Sequence, residues 1–282
     1  MTQSDDWRRA ATAGQLRSVA RTIDPSVAHI ARIQDYWLGG KDHFEADRLA
    51  GDEAIAQLPD MVASVRNTRA FLGRTVRFLA QEQGIRQFLD VGTGIPTVSN
   101  THEVAQRAAP ASRIVYVDND PMVLAHARAL LTSSAEGKCA YIDADIRDPE
   151  NILDTAAEVL DLTEPVGVVL MAVLQFVPDD DNPYELVRRL MAAVPAGSYL
   201  VISHPASDIQ ASAMAGMAIR LNQLMAQRVK PRSKAEVTAF FDGLDLVPPG
   251  VIRCPEWRPD HPEDAAGKST MWGGVAEKSR AA

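Results

Sequence analysis

Short apolar runs alternate along most of this chain with longer stretches in which apolar residues recur every three or four positions. Short runs bounded by Gly, Pro, Asn or Asp are typical of buried strands, whereas the wider spacing is typical of amphipathic helices. Because the two kinds of segment follow each other in turn, the pattern predicts an α/β fold with a mainly parallel sheet and helices on both faces. The assigned strand runs are residues 88–91, 114–117, 140–144, 166–173 and 199–203.

Helical spacing also precedes the first strand. Asp24 and Pro25 form an N-cap and first-turn pair, and apolar residues continue at helical spacing as far as Gly39, where we expect the helix to end. A capping box at residues 42–45 predicts a second helix, and residues 61–80 carry the apolar stripe of a third.

These patterns divide the chain into three predicted parts. Residues 1–23 are polar and Arg-rich without a clear period, which favours a flexible tail. Residues 24–83 are predicted to form a helical lid region, and residues 84–282 to form the core that contains the sheet.

The first strand ends in a glycine turn of the kind that binds nucleotides. Gly92 and Gly94 follow the apolar run, and a capped helix comes after them. A dinucleotide-binding turn needs a third Gly or Ala to pack around a pyrophosphate, but Thr97 stands there, and the strand carries Asp90. Opposite charges about 4 Å apart gain roughly 4 kcal/mol at an effective dielectric of about 20. Asp90 therefore favours a cofactor with ammonium and sulfonium groups over a pyrophosphate.

The second strand ends in another carboxylate, Asp118, which is followed by Asn119. A carboxylate at this place in a nucleotide-binding βαβ unit takes the two hydroxyls of a ribose. The sequence Asp-x-Gly-x-Gly, followed by a strand that ends in Asp, resembles the class I S-adenosylmethionine (SAM)-dependent methyltransferases.

Two longer segments make the resemblance more specific. Asp-Tyr-x-Leu-Gly-Gly-Lys-Asp at residues 35–42 and Phe-Leu-Asp-Val-Gly-Thr-Gly-x-Pro-Thr at residues 88–97 resemble an actinobacterial family of SAM-dependent methyltransferases. The likeness extends from about residue 24 to about residue 278. It implies a Rossmann-like class I core of seven mainly parallel strands with a closing antiparallel pair, an N-terminal helical extension, SAM as the cofactor and methyl transfer as the reaction.

The resemblance also implies roles for residues near the strand ends. The glycine turn would approach the methionine moiety of SAM, and Asp145 with the backbone of Ile146 would read the adenine. An alternative for Asp145 is a role in capping the next helix. Gln175 stands where members of the family often carry His, near the sulfonium. The predicted cofactor contacts are Tyr36, Asp90, Gly92, Thr93, Gly94, Asp118, Asn119, Asp145, Ile146 and Gln175.

Two predictions concern catalysis and closure. His204 follows the fifth strand at the ligand edge and is the predicted general base, with a hydrogen bond to a loop carbonyl as the structural alternative. Tyr36 and Trp37, next to a Gly-Gly pair, either form part of a lid or pin their helix by packing.

Composition narrows the partners. The net charge of -8, without any basic run, argues against nucleic acid and favours a small-molecule methyl acceptor. No apolar run is long enough to span a bilayer and the start lacks a signal-peptide pattern, so we expect no membrane partner and a cytoplasmic location. Cys139 and Cys254 lack metal-ligand spacing, and the acidic residues 179–181 favour a solvated loop, so no metal is predicted.

Three matters stay open at the level of sequence. An NAD-dependent oxidoreductase shares the layout of strand, glycine turn and strand-end Asp, and a catalytically inactive SAM-binding regulatory protein would retain the same cofactor residues. The sequence decides neither the oligomeric state nor whether the acceptor is methylated on oxygen, nitrogen or carbon.

Overall fold

The computed structural model describes residues 23–97, 99–130 and 132–279. Apart from residue 23, the tail predicted over residues 1–23 lies outside the described residues. The division of the chain at residues 23 and 83 stays a prediction.

The described strands are β1 (Gln87–Val91), β2 (Arg113–Asp118), β3 (Lys138–Asp143), β4 (Gly167–Met171), β5 (Tyr199–Pro205), β6 (Asp245–Leu246), β7 (Ile252–Arg253) and β8 (Met271–Glu277). They form one eight-stranded sheet in the order β3-β2-β1-β4-β5-β8-β6, and β7 also pairs with β8. The first five strands are parallel and β8 runs antiparallel to β5. This arrangement confirms the predicted Rossmann-like fold.

The closing strands explain why eight strands fit a prediction of seven. Leu246 of β6 pairs with Ala276 of β8, and Ile252 of β7 pairs with Gly273 further along β8. Because β5 occupies the other edge of β8, β6 and β7 share one edge. The eight strands therefore fill seven positions in the sheet.

The described α-helices are α1 (Ile30–Leu38), α2 (Glu45–Gln57), α3 (Met61–Gln81), α4 (Thr101–Ala108), α5 (Pro121–Leu130), α6 (Pro149–Ala156), α7 (Pro183–Ala192), α8 (Ala211–Leu224) and α9 (Lys234–Ala239). The end of α1 at Gly39, where φ is 83°, confirms the prediction. Its predicted start is wrong: Asp24 accepts hydrogen bonds from Ser26 in a turn, and His29 is the N-cap. The predicted box at residues 42–45 is also wrong, because α2 begins after Phe44, whose N–H donates to Asp47.

Two apolar clusters cover the faces of the sheet. On one face, Phe71 and Leu79 of α3 pack with Phe88 of β1 and Val169 of β4. On the other face, residues of α6 and α7 pack against the same strands. The third N-terminal helix is therefore part of the core of the sheet.

A third cluster joins α1 and α2 to α8. Ile33, Trp37 and Ala54 pack there with Met214 and Met217. The methionine-rich face of α8 is thus the apolar surface against which α1 and α2 pack. Along the part of the chain that the structure describes, no helix combines the length and the apolar character needed to cross a membrane.

Candidate functional site

A cleft of about 670 Å³ that opens to solvent lies beyond the carboxyl ends of β1 to β4. β1 lies between β2 and β4 in the sheet. The chain adds β2 and β3 on one side of β1 and then crosses to add β4 on the other side, so the order of strand addition reverses at β1. Ligands of open α/β sheets bind at such a switch point.

The glycine turn forms the floor of the cleft next to β1. Gly92 and Gly94 both line it, with φ of 78° and 68°. A Cβ at Gly92 would come within 2.4 Å of Val173, whereas a Cβ at Gly94 would meet only Gln34, at 3.9 Å. Gly92 is therefore needed for a close approach between two segments of chain, and Gly94 leaves space open for a ligand. Thr93 is not part of the lining; its hydroxyl donates to the carbonyl of Asp90.

Asp118 lies at the end of β2 with its carboxylate at the cleft. Oδ2 accepts the N–H of Gly94 at 2.9 Å, and Oδ1 accepts the N–H of Asp120 at 2.9 Å. Burial raises the pKa of this carboxyl, and the two backbone hydrogen bonds act against the rise. Because a carboxylate has about four acceptor positions, two remain for a diol.

Asp145 and Ile146 line the far end of the cleft, as predicted for adenine contacts. Asp145 accepts hydrogen bonds from Asn119 at 2.9 Å and from the backbone and guanidinium of Arg147 at 2.9 to 3.1 Å. Burial alone would raise the pKa of Asp145, but these donors hold it below its ordinary value. Hydrogen bonds from Asn119 and Arg147 therefore hold the Asp145 carboxylate in position at the edge of the cleft.

The structure corrects the predicted role of Asp90. Its side chain is only 4% exposed and does not line the cleft. Oδ2 instead accepts the hydroxyl of Thr101 at 2.6 Å, which ties β1 to α4. Burial raises the pKa of Asp90 to about 6, although Thr101 and Arg69 act in the opposite direction. The carboxylate of Asp90, which we predicted to face the cofactor, thus lies behind the glycine turn.

Tyr36 also lies away from the cleft. Its hydroxyl donates to Asp52 at 2.7 Å, and Trp37 donates from Nε1 to the carbonyl of Gly51 at 3.2 Å. Both aromatic residues therefore hold α1 to α2, which is the packing alternative. The cleft is covered by the start of α1 instead, through His29 and Gln34 among others.

His204 is fully buried and does not line the cleft. Its Nε2 lies 3.0 Å from Nη1 of Arg232, which can only donate, so Nδ1 carries the proton and donates to the carbonyl of Pro205 at 3.0 Å. Burial, aided by Arg232, lowers the pKa of His204 to about 3. His204 is therefore a neutral structural residue and cannot serve as the predicted base.

The segment after β4 is held from behind by the same arginine. Arg232 is buried and donates to the carbonyls of Leu174 and Val177 at 2.9 Å each. Gln175 is not part of the cleft lining and its Nε2 donates to the carbonyl of Ala172 at 2.7 Å, so its cofactor contact stays a prediction. Phe176 and Val177 face the cleft in its place.

Sequence reasoning missed several residues of the lining. Arg147 lies two positions after the predicted ligand Asp145, so its place in the sequence could have indicated that it lines the cleft. His29, Gln34 and Gln227 have no such signal, because they come from segments outside the strand ends. Gln227 carries a buried Oε1 without a hydrogen-bond partner among the described residues.

The donor set fits SAM. The cleft combines an open glycine turn, a carboxylate with two vacant acceptor positions, and a second carboxylate beside a backbone N–H at Ile146. These groups match a methionine moiety, a ribose diol and an adenine in that order along the cleft. Within residues 23–97, 99–130 and 132–279, no three His, Cys, Asp or Glu side chains are grouped to hold a metal ion.

Comparison with known proteins agrees with this geometry. The sequence model of a family described as S-adenosyl methyltransferase matches residues 17–279. A DUF574 family protein from Streptomyces avermitilis has 43% identity and a TM-score of 0.86, over 91% of this chain and 100% of that one. A candidate methyltransferase from Thermobifida fusca has 38% identity and a TM-score of 0.84, over 93% of this chain and 100% of that one.

A more distant likeness concerns the fold alone. The mitomycin 7-O-methyltransferase MmcR has 16% identity and a TM-score of 0.51, over 96% of this chain and 76% of that one. No protein with a curated functional description matches the chain.

Proposed function

The chain belongs to the S-adenosyl methyltransferase family and is a SAM-dependent methyltransferase, and we propose that it methylates an uncharged small molecule bound beside the cofactor. Family membership removes the NAD-dependent alternative. The observation that carries the proposal is the uneven distribution of charge along the cleft.

All ionisable groups of the described lining belong to the nucleoside end. They are Asp118, Asp145, Arg147 and His29. The rest of the lining is apolar or carries neutral amides, and it includes Ile30, Gln34, Met171, Val173, Phe176 and Gln227. An anionic acceptor would find no cationic side chain in this part of the described lining to pair with its charge. This end therefore favours an acceptor that is apolar or aromatic and carries neutral hydrogen-bonding groups.

The cofactor roles that we propose follow the strand ends. Asp118 holds the ribose, Asp145 and the N–H of Ile146 hold the adenine, and the backbone at Gly92 and Gly94 borders the methionine moiety. SAM, when bound, supplies a methyl group on a positively charged sulfur. The chain orients the acceptor and keeps water out with Phe176 and its apolar neighbours; such positioning contributes about 7–11 kcal/mol to lowering a barrier.

A methyl-transfer assay tests the acceptor class. The protein is incubated with methyl-labelled SAM and matched pairs of acceptors, each an uncharged phenol, indole or aniline and its carboxylated counterpart. We expect label in the uncharged members, and the methylated atom then decides between oxygen, nitrogen and carbon. Preferential labelling of the carboxylated members would contradict the proposal.

Binding without turnover has a separate meaning. If calorimetry shows that S-adenosylhomocysteine (SAH) binds but no acceptor in the panel is labelled, the cofactor assignment stands and the proposed acceptor class is contradicted. Absence of SAH binding would contradict the cofactor assignment itself.

A further inference from the structure

A histidine and a carboxylate meet at the nucleoside end of the cleft. Nδ1 of His29 lies 2.9 Å from Oδ2 of Asp120, and the two side chains are 23% and 7% exposed. The other oxygen of Asp120 accepts the N–H groups of Met122 and Val123 at the start of α5. The pair therefore joins the N-terminal segment to the helix that follows β2.

The contact with Asp120 decides where the imidazole proton lies. Nδ1 also lies 3.4 Å from the N–H of Ala31, which would require Nδ1 to accept. A single ring nitrogen cannot donate to one group and accept from the other, and the 2.9 Å contact with a carboxylate is much the stronger. Nδ1 therefore carries the proton, and in the neutral ring Nε2 is an acceptor without a hydrogen-bond partner among the described residues.

The backbone of His29 is fixed from the other side. Its N–H donates to Oδ1 of Asp47 at 2.9 Å, and Asp47 is fully buried. The same carboxylate binds Arg32 at 3.1 Å. His29 is thus held by two carboxylates, one from α2 and one from the core, before any ligand binds.

Asp118 and His29 both line the cleft. Each oxygen of Asp118 already accepts one backbone N–H. A ribose brings two hydroxyl donors to this place, and a second acceptor in the cleft lets the two hydroxyls bind to different residues.

We propose that His29 is a second ribose-binding residue, whose Nε2 accepts a hydrogen bond from one ribose hydroxyl while Asp118 accepts the other. The inference rests on the proposed cofactor site. It makes the segment before α1 part of that site and gives Asp120 the task of orienting the ring, as carboxylates do for other functional histidines.

The variant His29→Asn, which replaces the imidazole by an amide, tests whether His29 binds the ribose. His29→Asn keeps an N-cap side chain whose amide reaches Asp120, but it removes the atom at the Nε2 position. By calorimetry we expect SAH to bind about three- to tenfold more weakly, the size of one neutral hydrogen bond. His43→Asn is the matched control, because His43 also contacts a carboxylate through Nδ1, that of Asp35 at 3.0 Å, without lining the cleft.

Deoxy ligands separate a hydroxyl contact from a general effect. We expect the loss in His29→Asn to disappear for either 2′-deoxy- or 3′-deoxy-SAH and to persist for the other. If His29→Asn does not fold, as judged by circular dichroism, His29→Phe keeps the ring volume without either nitrogen and takes its place.

Several outcomes overturn the inference while leaving the cofactor site intact. They are unchanged SAH affinity in the variant, an equal loss with both deoxy ligands, or an equal loss in His43→Asn. Unchanged SAH affinity together with lost methyl transfer would instead make His29 a base. Failure of the unaltered protein to bind SAH would refute the proposed function as well.

Discussion

Asp90 and Asp118 are carboxylates on neighbouring strands, yet their surroundings give them different tasks. Asp90 is covered by α4 and bonded to Thr101, whereas Asp118 faces the cleft with half of its acceptor positions vacant. Both side chains leave the same face of the sheet, because Asp90 pairs with Tyr116, two residues before Asp118. Asp90 lies inside β1 whereas Asp118 is the last residue of β2, and this difference along the strand decides which one can meet a ligand.

Replacement of Asp118 by Ala tests its role. We expect SAH binding to weaken about 10- to 100-fold, because hydrogen bonds to a charged group contribute about 1.5–3 kcal/mol. Calorimetry measures the loss. Asp143→Ala is the control: Asp143 pairs with Asp118 at the end of β3 but is exposed and not part of the lining. Micromolar affinity retained in Asp118→Ala would refute the ribose assignment.

His204 makes a prediction about pH. Its pKa is lowered from 6.5 to about 3 in the folded chain, so below about 6.5 the unfolded chain binds a proton that the folded chain does not. The stabilisation is fully present above the unfolded pKa and is lost as the pH falls toward the folded pKa. Between about pH 7 and about pH 5 we expect the protein to lose about 2 kcal/mol of unfolding free energy that His204→Gln does not lose.

Urea denaturation at the two pH values measures this difference. The exposed His261, changed to Gln, serves as the control and should follow the unaltered protein. Equal pH dependence in His204→Gln and in the unaltered protein would show that His204 titrates normally, contrary to its buried position.

At the scale of elements, the contact between α1 and α2 decides how the cleft is covered. Trp37 and Tyr36 lie over Gly51, and Trp37 donates to its carbonyl. α2 and α8 in turn pack together in the methionine-rich cluster. The N-cap residue His29 and Gln34 of α1 are therefore positioned by this stack of helices together with the contact between His29 and Asp120.

A methyl group at Gly51 tests that stack. A Cβ there would lie 2.8 Å from Tyr36 and 3.0 Å from Trp37, so Gly51→Ala should push the helices apart and cost about 1–3 kcal/mol. Gly73→Ala in α3 is the control, because its Cβ meets nothing within 4 Å; it should be neutral or stabilising by up to about 1 kcal/mol. Thermal unfolding should show lower stability for Gly51→Ala, and calorimetry should show weaker SAH binding. Equal stability and equal SAH affinity in Gly51→Ala and Gly73→Ala would argue against positioning by the helix stack.

At the scale of the molecule, the cleft lies between two bodies of structure. The sheet supplies Gly94, Asp118 and Asp145 from its strand ends, and the N-terminal helices supply the cover. Several contacts link the two bodies beside the cleft: Ala28 forms a bridge with Met225, His29 bonds to Asp120, and Ala31 packs with Ile95 and Val123. A ligand in the cleft would touch both bodies and strengthen their association.

Hydrogen exchange measures that coupling. With SAH at about 100 times its dissociation constant, unfolding free energy should rise by about 2.7 kcal/mol. The amides of α1 should exchange more slowly, because bound SAH makes local opening of α1 less frequent. α7, which contributes nothing to the described lining, should change little beyond the global effect. Unaltered exchange in α1 would mean that the cover does not respond to the cofactor.

The sequence by itself determined the α/β class, the order of strands and helices, the glycine turn and the cleft residues Asp118, Asp145 and Ile146. These features are local: hydrophobic period identifies each element, and the carboxyl ends of parallel strands converge on one edge. Short-range patterns therefore suffice to place them.

Only the tertiary structure decided which way Asp90 and His204 face, that Tyr36 packs against α2, and that His29 covers the cleft. Asp90 is bonded to Thr101, 11 residues away, His204 is bonded to Arg232, 28 residues away, and the cover depends on contacts across α2 and α8. Long-range packing selects among side-chain directions that the local pattern leaves equal, and for that reason no motif in the chain could have settled them.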